Sequence, residues 1–119
     1  MQFKENKAIY LQIADLICED IVTGKLGEND KIPSVREYAT TLEVNANTCA
    51  RAVDWLQGMG IIYTKRGLGY FVSDGAKAAV LSMKREAFFT KSLPEMAAAI
   101  KMLGIGIDEV ATALAELLH

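Results

Sequence analysis

The side chains able to do covalent chemistry are few and poorly grouped for it. The only histidine is His119, the last residue, and Cys18 and Cys49 stand in apolar surroundings without a CxxC partner or a nearby histidine. Both cysteines read as small buried hydrophobes kept reduced in the cytoplasm, because the N-terminus MQFKENKAIY lacks the basic start and apolar stretch of a secretory signal. There is no GxSxG, HExxH or GxxxxGK stretch to supply a nucleophile, a zinc site or a phosphate cradle, so the expectation is a protein that is not an enzyme and takes no metal or cofactor. What remains is the placement of charge. The net charge is −2, yet Lys31, Arg36, Arg51, Lys65 and Arg66 face only Glu37, Glu43 and Asp54 between Lys31 and Ser73, while Asp15, Glu19, Asp20, Glu28 and Asp30 crowd the first thirty residues. Cations interleaved with asparagine and threonine are the groups that pair with phosphates and base edges. A mixed solvated face has the same composition, so the elements that carry these side chains must decide between the two.

At 119 residues, 51% apolar and 24% charged, the chain is globular and has room for one modest domain, or one with a small appendage. Ile9, Ile13, Leu16, Ile17 and Ile21 recur at helical spacing and predict a first helix from about Ala8 to Val22, ended by Gly24. Ser34 and Glu37 have the spacing of a capping box, so a second helix starts near Ser34 with Val35, Tyr38, Ala39 and Leu42 inward. The corner Leu42-Glu43-Val44-Asn45 leads to a third helix from about Ala46 to Met59, capped by Asn45, with Cys49, Val53, Leu56 and Met59 as its core face and Gly60 closing it. Ile61 to Lys65 and Gly69 to Val72 are β-rich runs around Arg66-Gly67-Leu68, the pattern of a small hairpin. The fold class expected is mainly α with a small β-hairpin wing: a winged helix-turn-helix over residues 1–75 and a short two-helix tail over 76–119.

That tail is the greasiest part. From Ala76 onward 26 of 44 residues are apolar, too many for so short a segment to bury against itself, so a partner chain is expected. The longest unbroken apolar run there is Met96 to Ile100, far below the roughly 18 residues that cross a bilayer, so no membrane association is expected. A long helix with Pro94 dividing or kinking it precedes the turn Gly104-Ile105-Gly106 and a last helix from about Asp108, read as its cap, to Leu118. Val80, Met83, Ala87, Phe88, Met96, Ile100, Leu103, Val110, Leu114 and Leu117 are the expected dimerisation residues. Phe88, Phe89, Met83 and Met96 also suit a small ligand pocket, although packing at a dimer seam is the reading taken, and no residue names an effector.

The stretch IPSVREYATTLEVNANTCARAVDWLQGMGIIYTKRGLGYFV, with IYLQIADLICEDIVTGKL before it, resembles the N-terminal domain of the GntR family of bacterial transcriptional regulators. Its specific pieces are Pro33-Ser34-Val35-Arg36-Glu37, Val44-Asn45 with Asn47-Thr48, Gly60-Ile61-Ile62, and Gly67 with Gly69-Tyr70-Phe71-Val72. The short helical tail is similar to the YtrA-like subgroup. The resemblance implies a homodimeric repressor on a two-fold operator of double-stranded DNA, with the third helix in the major groove. Asn45, Asn47, Thr48 and Arg51 would lie on its leading turns, Ser34 and Arg36 at the start of the second helix, and Lys65, Arg66 and Gly67 at the wing tip. Asn45 has an alternative role as a plain N-cap, and Arg36 as one half of a surface ion pair. Ala46 and Ala50 stand where many members carry basic residues, which favours an alternative reading: a winged-helix protein–protein interaction module with vestigial DNA binding. Glu43 occupies a turn position where glycine is common, so strain is expected there.

Overall fold

The structure is a computed structural model that describes Phe3 and residues 7–119. It divides into two compact units after Ser82. In the first, α1 (Ile9–Val22) turns a stripe of Ile13, Ala14, Ile17, Cys18 and Ile21 inward, and α3 (Ala46–Gly58) answers with Cys49, Ala52, Val53 and Leu56; none of these is more than 2% exposed. Burying each large aliphatic chain contributes about 2 kcal/mol, so this α1–α3 seam shares the stability of the unit with Ile32, Ile61, Ile62, Val72 and Val80, which are buried to the same degree. Both cysteines are free thiols inside it, and burial pushes the Cys49 thiol up. Ile9 and Met59 depart from the expected core. Each sits at the end of its helix, where the partner helix no longer covers it, and both are about half exposed.

Between those helices, α2 (Val35–Leu42) begins with the full capping box. Glu37 N–H donates to Ser34 Oγ at 3.1 Å, and Ser34 N–H donates to Glu37 Oε1 at 3.2 Å, which satisfies two otherwise orphaned amides. Helix α3 starts on Asn45, whose Oδ1 accepts from Asn47 N–H at 2.8 Å. It ends where Gly60, at φ 75°, lets Ile61 N–H reach Leu56 O and Gly60 N–H reach Gln57 O, both at 3.0 Å.

Strands β1 (Ile62–Lys65) and β2 (Gly69–Val72) form an antiparallel hairpin in which Tyr63 faces Phe71 and Lys65 faces Gly69. The hairpin has a third partner absent from the sequence reading. Residues 29–32 bond to the free edge of β2 through Asn29 N–H to Val72 O (2.7 Å), Val72 N–H to Asp30 O (2.9 Å) and Ile32 N–H to Tyr70 O (3.0 Å). Polar Asn29-Asp30-Lys31 gives no β signal of its own; the pairing is imposed by the edge it meets.

Helix α4 (Ala76–Ala87) crosses the division between the units, with Ala76 and Val80 fully buried. Val80 is therefore withdrawn from the dimerisation set, because the single chain already covers it. The second unit continues through a π-helical turn, Phe88–Ser92, into α5 (Leu93–Leu103) and then α6 (Ile107–Leu117). Pro94 falls in the first turn of α5, and the widened π-turn ahead of it accommodates a ring that would otherwise press on the carbonyl one turn back. Helix α6 is capped two residues earlier than expected, by Gly106, with no side-chain cap; Asp108 lies inside its first turn, where a carboxylate favours the positive helix end.

One buried polar group stands out. The Tyr38 hydroxyl has no hydrogen-bond partner among the described residues, and its pKa is pushed up to about 12, first by burial and then by the Asp20 and Glu37 carboxylates. An unfolded tyrosine ionises near pH 10 while the folded one still holds its proton, so stability is fully present below pH 10 and falls as the pH rises towards 12. Tyr38→Phe is expected to raise stability at neutral pH by about 1 kcal/mol and to remove that alkaline loss, as read by denaturant unfolding at pH 7 and across pH 10 to 12.

Candidate nucleic-acid interface

The expected DNA-facing residues gather at two shallow clefts and a hairpin tip. The first cleft, about 390 Å³, lies between the start of α2 and the wing, and its lining includes Ser34, Arg36, Leu68, Gly69 and Lys31. Lys31, counted among the cations of this stretch, is not in the DNA-facing set expected from sequence. It arrives through the edge pairing of residues 29–32, and its Cε lies 3.1 Å from where a Cβ on Gly69 would be, so any side chain at Gly69 would displace it. Ser34 Oγ accepts one bond in the cap and keeps its own proton to donate. Arg36 is exposed, and the ion pair Lys7–Asp15 is the only one among the described residues, so the surface-pair alternative for Arg36 is not what the structure contains.

The second cleft, about 380 Å³, is lined by Asn47, Thr48 and Arg51 from α3 and by Ala8, Ile9 and Tyr10 from the start of α1. Asn45 fills the cap role with its Oδ1 and is itself exposed, which leaves its Nδ2 to donate. The Arg51 guanidinium does not hang free; it lies 4.0 Å from the centroid of the Tyr10 ring. Tyr10 is not singled out by the sequence. It shares the helical spacing of the α1 stripe, but only the packing of α1 on α3 brings it to Arg51.

The wing tip is the loop Arg66–Leu68, closed by Leu68 N–H to Lys65 O at 2.9 Å. Gly67 takes φ 80°, so its glycine is required by the turn itself. Arg66 is exposed, and Leu68 is 61% exposed. Lys65 is held back instead: its Nζ sits 4.6 Å from the Phe71 ring centroid and 5.9 Å from that of Tyr63, above a stacked aromatic pair. Tyr63 Oη in turn donates to Asn29 Oδ1 at 2.9 Å, and Asn29 Nδ2 donates to Asp74 Oδ1 at 2.7 Å, a chain that fixes the base of the wing. The arrangement suits contact with a polyanion, with point charges and amide donors outward and no acid in the lining of either cleft.

The family profile described as "Bacterial regulatory proteins, gntR family" matches residues 9–72. The chain is 37% identical to the HTH-type transcriptional regulator YhcF of Bacillus subtilis (strain 168) over 92% of its own length and 88% of that protein. It is 38% identical to the HTH-type transcriptional repressor YtrA of the same organism, over 68% of this chain and 62% of that one. A solved GntR-family regulator from Bacteroides thetaiotaomicron superposes with a TM-score of 0.76 at 44% identity, covering 93% of this chain and 96% of the other. The DNA-binding domain of AraR, solved in complex with operator ORX1, covers 60% of this chain and 93% of its own, at a TM-score of 0.54 and 27% identity. No helix among the described residues is long and apolar enough to cross a membrane.

The corner between α2 and α3 sets how the leading turn of α3 is presented. Glu43 there adopts φ 55°, ψ 47°, the left-handed region, so the strain expected from sequence is present. A non-glycine residue in that region costs about 1–2 kcal/mol, part of which glycine returns through its looser unfolded state. Glu43→Gly is expected to stabilise the chain by up to about 1 kcal/mol, visible as a melting temperature several degrees higher.

Proposed function

The chain belongs to the gntR family of bacterial regulatory proteins, and from that premise we propose that it is a homodimeric transcriptional repressor which blocks transcription by occupying a two-fold operator. The observation that carries the reading is the grouping of Arg36, Lys31 and Ser34 beside the wing and of Asn47, Thr48 and Arg51 in the neighbouring helix, with no acid lining either cleft. In this reading the leading turn of α3 enters the major groove. Asn47, with Asn45 Nδ2 beside it, offers donors to base edges, and Thr48 a hydroxyl or methyl. Arg36, Arg51, Lys65 and Arg66 hold the phosphate strands, and Gly67 lets the wing backbone approach the sugar edge. The operator complex solved for AraR, a structural relative, supports the same use of this domain.

Homodimerisation rests on the second unit. None of its residues from Met83 to His119 is fully buried, so it has no core of its own. Leu103, Leu114 and Leu117 are exposed with Ala87 and Phe88, while Met83, Met96, Ile100 and Val110 are half-buried. Met102 and Ile107, outside the expected set, are over 70% exposed as well. Two-fold symmetry supplies the missing layer with an identical surface, and it matches the two-fold operator that a pair of recognition helices requires.

Light scattering should give a mass twice that of the 13.0-kDa chain. With three or four cations per protomer on phosphates, a dimer neutralises roughly six to eight, and log affinity should fall with log salt at a slope of about −5 to −7. A slope near −1 contradicts the reading. Asn47→Ala should flatten the preference at one symmetric pair of operator positions by about 1–3 kcal/mol, measured against a panel of duplex variants.

A further inference from the structure

The proposed interface leaves Tyr10 without a role, yet its ring carries the closest cation–ring contact among the described residues, 4.0 Å to the Arg51 guanidinium. We infer that Tyr10 is a positioning residue for DNA: it stacks Arg51 so that the guanidinium edge grips a backbone phosphate at the cleft shared by α1 and α3. This rests on the DNA-binding reading and adds the start of α1 to it.

Four observations carry the inference. A planar guanidinium covered on one face keeps its N–H groups in the plane, pointing past the ring edge, which is the geometry of a bidentate bond to two phosphate oxygens. Arg51 has no carboxylate partner among the described residues, so the stack is its only fixed contact there. The cleft beside it is lined by Asn47, Thr48, Ala8 and Ile9, so hydroxyl and amide donors stand with one cation and no anion, complementary to a phosphate. Finally, Arg51 is exposed and Tyr10 half-buried, so the ring is the anchored partner and the guanidinium the presented one. Holding an otherwise freely rotating arginine in place before DNA arrives removes ordering cost at the moment of binding.

The test uses the full chain and a mixed-sequence duplex, because phosphate contact needs no operator. Arg51→Ala should lower the magnitude of the salt slope by about one per protomer. Tyr10→Leu should lower it equally and weaken binding about two- to fivefold per protomer, the scale of an exposed cation–ring contact, whereas Tyr10→Phe, which keeps the ring, should restore both. In the Arg51→Ala background, Tyr10→Leu should add nothing further. Thermal melts of each variant separate loss of folding from loss of contact. If Tyr10→Leu weakens binding with the slope unchanged, or adds its full effect to Arg51→Ala, Tyr10 is merely structural and the inference is wrong. Wild-type protein that retains no duplex at all overturns the proposed function, and this inference with it.

Discussion

Three backbone hydrogen bonds between residues 29–32 and the outer edge of β2 are the constraint on which the interface depends. A two-stranded hairpin alone is marginal in water, and this one gains a third partner exactly where its free edge would otherwise be exposed. The partner is also the segment that leads straight into the α2 cap. One set of bonds therefore fixes both the wing and the helix start, and Lys31, Arg36 and the glycine-bearing loop reach a single cleft without any ion pair to hold them. The Tyr63–Asn29–Asp74 chain and the Glu28 carboxylate, which accepts from Gly75 N–H at 2.7 Å, extend the same tie to the start of α4.

Two kinds of restraint hold the cations ready. Arg51 and Lys65 lie on aromatic faces, a contact that keeps the charge intact, whereas a carboxylate partner would cancel it. Arg36 and Arg66 stay solvated. Several acids of the N-terminal unit are engaged away from these clefts: Glu37 in the α2 cap, Asp30 on Gly27 N–H, and Asp20 with Glu37 in lining a groove between α1 and α2. A chain of net charge −2 can in this way present locally basic surfaces.

Much of this was legible in the sequence because local rules act there. The capping box at Ser34, the Asn45 cap, the Gly60 closure and the hairpin around Gly67 each have a short-range cause that residue types reveal. The strained corner at Glu43 was legible for the same reason. What sequence did not reveal depends on tertiary approach. Lys31 reaches the wing only through an edge pairing that its own residues do not favour, and Tyr10 meets Arg51 only because α1 packs on α3. Val80 has the spacing of a seam residue but is covered by its own chain, and Asp108 has the chemistry of a cap but sits two residues past it, inside the first turn.

Sequence-specific recognition of a two-fold site is read out by selection from a random duplex library at moderate and raised salt. A two-fold symmetric motif should be enriched and should survive the raised salt, because base contacts do not depend on counterion release as phosphate contacts do. Uniform loss of retention with salt and no enriched motif would contradict it.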